Sequence, residues 1–133
     1  MSEIIIVGGG AAGMMAAIAA ADQGHQVTIL EKNEKLVKKV FITGKGRCNI
    51  TNDSDVENLL QHTIRNPRFL YSAFYTFDSS RMMEFLESEG LRIKTERGNR
   101  VFPQSDHSSD VIRTLEKAMK KRDVTVRLHT KVL

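Results

Sequence analysis

Residues 2–32, SEIIIVGGGAAGMMAAIAAADQGHQVTILEK, decide the fold. Ser2–Val7 is a short β-branched run bounded at once by Gly8-Gly9-Gly10, which reads as a buried strand. Ala11–Gln23 is dominated by Ala and Met and reads as a helix, with Gly24 placed to close it. Gln26–Glu31, with Val27, Ile29 and Leu30 apolar, reads as a second strand. Strand, glycine turn, helix and strand in so short a span predict a βαβ unit with a parallel strand pair and a right-handed crossover.

Inside this unit stands Gly8-x-Gly10-x-x-Gly13, followed by Ala17 and, eighteen residues after Gly13, by Glu31. Gly8 permits the tight turn out of the strand, and Gly10 lets the backbone approach a pyrophosphate. Gly13 and Ala17 allow the helix to pack close to the sheet. The helix N-terminus at Ala11 and Ala12 offers free N–H groups and a positive dipole end. Glu31, at the end of the second strand, can accept hydrogen bonds from an adenosine ribose and disfavours a 2′-phosphate. The context predicts a bound dinucleotide and leaves FAD or NAD open.

Outward from this unit the chain turns basic. Glu31–Arg47 carries Lys32, Lys35, Lys38, Lys39, Lys45 and Arg47 against Glu31 and Glu34, which equals the whole net charge of +4. Residues 33–53 include Thr43-Gly44-Lys45-Gly46-Arg47-Cys48-Asn49-Ile50-Thr51-Asn52. Its glycines, cations and amides would line a polar ligand, and they would equally suit a solvated basic loop. Residues 54–121 read as mostly helical: Asp55–His62, Pro67–Phe77, Asp78–Ser88, and a last helix capped by Ser108 or Ser109 and running to Lys121. A hairpin over 91–102 turns at Arg97-Gly98-Asn99, and residues 124–133 begin with the strand-like alternation Val124, Val126, Leu128. One βαβ, a helical insertion and one more β-element amount to less than a full doubly wound sheet, so the expectation is the N-terminal piece of a longer protein.

The length of 133 residues is about one domain. One cysteine excludes an internal disulfide and a cysteine-based zinc cluster, and it fits a reducing cytoplasm. No apolar run approaches membrane-spanning length and no signal peptide is present, so a soluble cytoplasmic domain is expected. His25, His62, His107 and His129 lack metal-ligand spacing, and no metal site is expected. No residue stands out as a catalytic acid or base.

The run TGKGRCNITN, with VGGGAAGMMAA…ILEK before it and Phe85–Glu96 and Gly98-Asn99-Arg100-Val101-Phe102-Pro103-Gln104-Ser105 after it, resembles a bacterial flavoprotein family of NAD(P)/FAD-dependent oxidoreductases, BaiN-like or aminoacetone-oxidase-like. The resemblance spans Ile4 to about Val132. It implies an α/β fold: a Rossmann-like, glutathione-reductase-type FAD-binding fold, incomplete here, whose completion needs the rest of a parent chain. It implies FAD over Gly8–Gly13, with Glu31 on the ribose and Lys32 beside it. Gly46, Arg47, Cys48 and Asn49 would lie along the pyrophosphate and towards the flavin, and Val132 would hold the adenine through its backbone. Arg100–Pro103 would approach the isoalloxazine. NAD(P)H is implied as an electron donor, with a small-molecule substrate of unknown identity. Val37 departs from the family, which commonly has Gly there. Cys48 is lone, so dithiol chemistry is excluded within this piece and an FAD-lining or packing role is favoured over a nucleophile. The alternatives are an NAD-dependent dehydrogenase domain, a basic nucleic-acid-binding module, which the lack of an RNA-stacking motif of interleaved aromatics and basic residues disfavours, and an inactive fragment.

Overall fold

A computed structural model describes residues 1–133. The first apolar run becomes β1 (Glu3–Val7), and the Ala-rich segment becomes α1 (Ala11–Asp22). Gly24 at φ +80° ends the helix turn and leads into β2 (Gln26–Leu30). β1 and β2 pair in parallel, Glu3 opposite Gln26 through Val7 opposite Leu30, so the expected βαβ unit is present.

The basic segment folds into a short helix, α2 (Lys38–Ile42), and a 3₁₀ turn (Thr43–Gly46). Then follow β3 (Thr51–Asn52), α3 (Val56–Gln61), a 3₁₀ turn at Pro67–Leu70, α4 (Tyr71–Thr76) and α5 (Ser79–Ser88). Asp55 and Asp78 cap α3 and α5 by accepting from the amides of Asn58 and Arg81. β4 (Ile93–Glu96) and β5 (Arg100–Pro103) form the expected hairpin, with Gly98 at φ +75° in the turn. α6 (Ser108–Lys121) and β6 (Thr125–Arg127) complete the chain.

Two three-stranded sheets result, β1-β2-β6 with parallel pairing and β3-β5-β4 with antiparallel pairing. The core lies between the first sheet and α1 and α6. Met14, Ala17 and Ile18 from α1 meet Val27 and Ile29 from β2 and Leu115, Ala118 and Met119 from α6. α6 presents Val111, Leu115, Ala118 and Met119 at helical spacing, which is why its apolar face seats there.

Four details differ from expectation. β1 is not buried on both sides: Ile4 and Ile6 face the helices, whereas Ile5 and Val7 are 59% and 65% exposed. The terminal strand spans only Thr125–Arg127 and not 124–133, because only Thr28–Leu30 of β2 pair with it. β3, two residues long, was too short to show a period. Neither Ser108 nor Ser109 caps α6; His107 occupies that position without a side-chain bond, and the Ser108 hydroxyl donates to the Phe41 carbonyl at 2.9 Å instead. No helix is long and apolar enough to cross a membrane.

Candidate functional site

The glycine loop between β1 and α1 is shaped by contacts that side chains would block. Gly8 turns at φ +99° while its N–H still donates to Leu30 O at 2.8 Å. A Cβ on Gly13 would lie 2.0 Å from the Gly8 carbonyl oxygen, and one on Gly9 would lie 2.2 Å from Leu36 Cδ2. Gly10 is different: a Cβ there would meet nothing within 4 Å, and the residue is exposed. Ala11 and Ala12, also exposed, open the helix. The first helical amides have no intrahelical partner; no side chain caps them, and no acidic residue sits in the first turn. The positive end of a twelve-residue helix therefore faces open space beside Gly10.

Glu31 is buried and knits the loop together. Its Oε2 accepts from the Gly9 amide at 2.7 Å, and its Oε1 accepts from the Asn33 amide and the Asn33 side chain, both at 2.8 Å. The backbone donors of Asn33 and Gly9 hold the carboxyl below the usual carboxylate range, against the opposing effect of burial. A carboxylate has about four acceptor positions, so about one remains for a ligand. Lys32 next to it is exposed. Gly9, the unassigned middle glycine of the triplet, and Asn33 are the partners that motif reading missed. The pattern GxGxxG treats the former as free, and nothing in the sequence marks the latter.

The chain end returns to this place. The Thr130 amide donates to Glu31 O at 2.8 Å and the His129 amide to Asn33 O at 3.1 Å. Val132, half exposed, follows two residues later, so the structure brings its segment to the Glu31 side of the loop. Val37 closes the other side. Its amide donates to Gly9 O at 3.0 Å, and it is buried with φ +52°. A left-handed β-branched residue is uncommon, whereas glycine would adopt this conformation without a Cβ penalty.

The second expected group, Gly46 to Asn49, lies in a loop packed against the second sheet. Gly46 has φ +84° and Cys48 φ +61°. Cys48 is buried within the core cluster and burial pushes its thiol up, so it packs rather than reacts. The Asn49 amide nitrogen, oriented to satisfy both partners, donates to the carbonyls of Thr51 at 3.1 Å and Val101 at 3.2 Å. The Arg47 guanidinium is bound to Glu96 and Asp106 and stacks on Phe102. Of this group only Gly46 keeps its hydrogen-bonding capacity free of side-chain ties. Arg100 is exposed, its Nε donating to Arg97 O within its own turn. A polar cleft of about 410 Å³, lined by Arg92, Gln104 and Lys117 among others, shares no residue with either loop. No three His, Cys, Asp or Glu side chains are grouped to hold a metal ion.

Comparison with known proteins agrees with this geometry. The HI0933-like protein Rossmann domain family matches residues 2–133. The chain is 39% identical over 128 residues to a 3-dehydro-bile acid delta(4,6)-reductase of Clostridium scindens, covering 95% of this chain and 31% of that protein. It is 28% identical over 131 residues to the ribosomal RNA dihydrouridine synthase of Escherichia coli, covering 98% and 32%. The chain thus spans about a third of the length of these curated relatives. Among solved structures, a 3-ketosteroid-delta4-(5alpha)-dehydrogenase from Rhodococcus jostii RHA1 superposes with TM-score 0.70 at 15% identity, over 96% of this chain and 38% of that one. A flavocytochrome c3 fumarate reductase superposes with TM-score 0.68 at 23% identity, over 96% and 27%. These likenesses establish the fold. With its parallel βαβ unit, uncapped glycine loop and family match over nearly every residue, the chain belongs to the HI0933-like Rossmann-domain family, the BaiN-like group that its motifs resemble.

Proposed function

We propose that this chain is the FAD-holding portion of a flavin-dependent oxidoreductase working in the cytoplasm. The observation that carries the proposal is the uncapped start of α1 at the exposed Gly10, with Glu31 fixed beside it by Gly9. The residues fit the ADP half of FAD. The amides of Ala11, Ala12 and Gly13 would face the diphosphate, where a Cβ-free Gly10 leaves room for close approach. Glu31 has about one acceptor position left, enough for one ribose hydroxyl and hostile to a 2′-phosphate. The Val132 backbone would meet the adenine, and Gly46 would lie towards the flavin.

Bound flavin supplies hydride transfer, and the protein binds and orients it. This chain's contribution is positional: the glycine loop fixes the phosphates, and the α1 dipole offsets their charge. The names of the two relatives, a delta(4,6)-reductase and a dihydrouridine synthase, both describe hydrogen added across a carbon–carbon double bond. We extend that reaction class, with NAD(P)H as electron donor, to the whole protein.

The test is a visible spectrum of the purified whole protein, with mass identification of the released chromophore. FAD release is the expected result, followed by bleaching on anaerobic NADH or NADPH and recovery on adding an α,β-unsaturated ketone. Selective retention of NAD would replace the proposal with a nicotinamide-dependent dehydrogenase. Failure to retain any dinucleotide would overturn it.

A further inference from the structure

The loop from Thr43 to Asn49 passes through the left-handed region at Gly44, Lys45, Gly46 and Cys48, with φ of 57°, 56°, 84° and 61°. Two of these residues are not glycine, so the loop's own conformational preferences oppose its shape. What holds it comes from far along the chain. Arg47 donates from Nε and Nη2 to Asp106 Oδ1 at 2.9 and 2.6 Å, and from Nη2 to Glu96 Oε1 at 2.5 Å. Its guanidinium carbon stands 4.0 Å from the centre of the buried Phe102 ring. Lys94 Nζ closes the cluster, 2.7 Å from Asp106 Oδ2 and 3.3 Å from Glu96 Oε1. A second tie leaves the same turn, where Ser108 Oγ donates to Phe41 O at 2.9 Å.

The cluster holds two cations and two anions, so the Arg47 charge is neutralised where it stands. Two edges of its planar fork, Nε and Nη2, converge on one Asp106 oxygen while its face lies over an aromatic ring, a set of directed contacts that guanidinium can make at once and ammonium cannot. We infer that Arg47 is a positioning residue, a latch that fixes loop 43–49 to the β4–β5 hairpin and the start of α6, and not a charge that contacts the cofactor. The exposed Lys45 then remains as the cation of this loop open to a ligand.

The effect on cofactor affinity rests on the flavin site proposed above, and the two roles predict opposite signs. If Arg47 touched the diphosphate, neutralising Asp106 would release its charge and tighten binding. If Arg47 is a latch, the same change loosens the loop and weakens binding. The experiment titrates the deflavinated whole protein with FAD, well below its melting temperature, for wild type, Arg47→Ala, Arg47→Lys, Asp106→Asn and the Arg47→Ala/Asp106→Asn double variant. The latch predicts weakening by about tenfold for Arg47→Ala, a loss of the same order for Asp106→Asn, and a double variant within about twofold of Arg47→Ala. Arg47→Lys, which keeps charge but loses the fork, should fail to restore affinity.

Tighter or unchanged binding in Asp106→Asn, or full rescue by lysine, would overturn the inference. So would a lowered melting temperature with wild-type affinity in every variant. Amide exchange across residues 43–49 of the cofactor-free protein gives a readout independent of flavin. Should the wild type bind no FAD, the flavin reading fails alone, and faster loop exchange in Arg47→Ala and Asp106→Asn still supports the latch. Unchanged exchange in both would sink it.

Discussion

The glycine loop at 8–13 and the loop at 43–49 both present backbone to open space, yet they are held by different forces. The first is fixed by exclusion and main-chain bonding. Gly13 lies against the Gly8 carbonyl, Gly8 is bonded to Leu30, and Gly9 is bonded to Glu31 and Val37. The second is fixed by side chains reaching across the fold, with Arg47 on Glu96 and Asp106 and Asn49 on the Thr51 and Val101 carbonyls. Close-packed backbone is insensitive to salt and intolerant of a single added carbon. Partly exposed ion pairs tolerate small shape changes and respond to salt and acid. The molecule thus pairs a stiff cradle with an adjustable wall.

The largest expected effect breaks the stiff side. Gly13→Ala puts a Cβ onto backbone 2.0 Å away, which cannot rotate aside. A loss of about 3 kcal/mol or more in stability is expected by denaturant titration; a loss under about 1 kcal/mol would mean that α1 can slide on the sheet. Glu31→Ala comes next. It strands the Gly9 amide and both Asn33 donors, and a cost of about 2–3 kcal/mol is expected from the same measurement.

Acid and salt separate the two regions. The Glu96 carboxyl, beside Arg47, and the Asp106 carboxyl, beside Lys94 and Arg47, are held below the usual carboxylate range. A carboxyl depressed in the folded state contributes stability that is complete above its unfolded pKa, about 4, and is lost as pH falls through the folded value. Amide exchange at 43–49, taken relative to its pH-dependent intrinsic rate, should therefore accelerate below about pH 4, and in about 1 M salt at neutral pH, before the β1–β2 ladder responds. Uniform acceleration along the chain would remove the distinction. The smallest effect belongs to Val37→Gly. Relief of a left-handed β-branched residue, about 1–2 kcal/mol, opposes the loss of a buried side chain. The net change should lie within about 1 kcal/mol of zero, against about 2 kcal/mol for Val101→Ala in the second sheet; equal costs would show that Val37 is unstrained.

Legibility in the sequence followed the same division. Gly8, Gly10, Gly13 and Glu31 could be placed because strand, turn and helix are consecutive and each glycine answers a local requirement. Asp55 and Asp78, the first residues of the helices read over 55–62 and 78–88, cap them by equally local bonds, since the donors they serve lie three residues on. Ser108 was misassigned by that logic: its hydroxyl had a better partner at Phe41, 67 residues away. For Arg47 the residues alone left a ligand lining and a solvated basic loop equally open, and only the family resemblance set it along a pyrophosphate. Its partners lie 49 and 59 residues further along, and no local pattern records them.

The sequence by itself determined the parallel βαβ unit, the open helix N-terminus and the acid at the end of β2, because these depend on backbone geometry and near neighbours. Only the tertiary structure decided that Glu31 spends most of its acceptor capacity on Gly9 and Asn33, that the chain end returns beside it, and that Arg47 meets Glu96 and Asp106. Those outcomes depend on which groups meet after folding. A charged side chain binds the partner that the fold brings within reach, and that choice is made by packing across the whole chain.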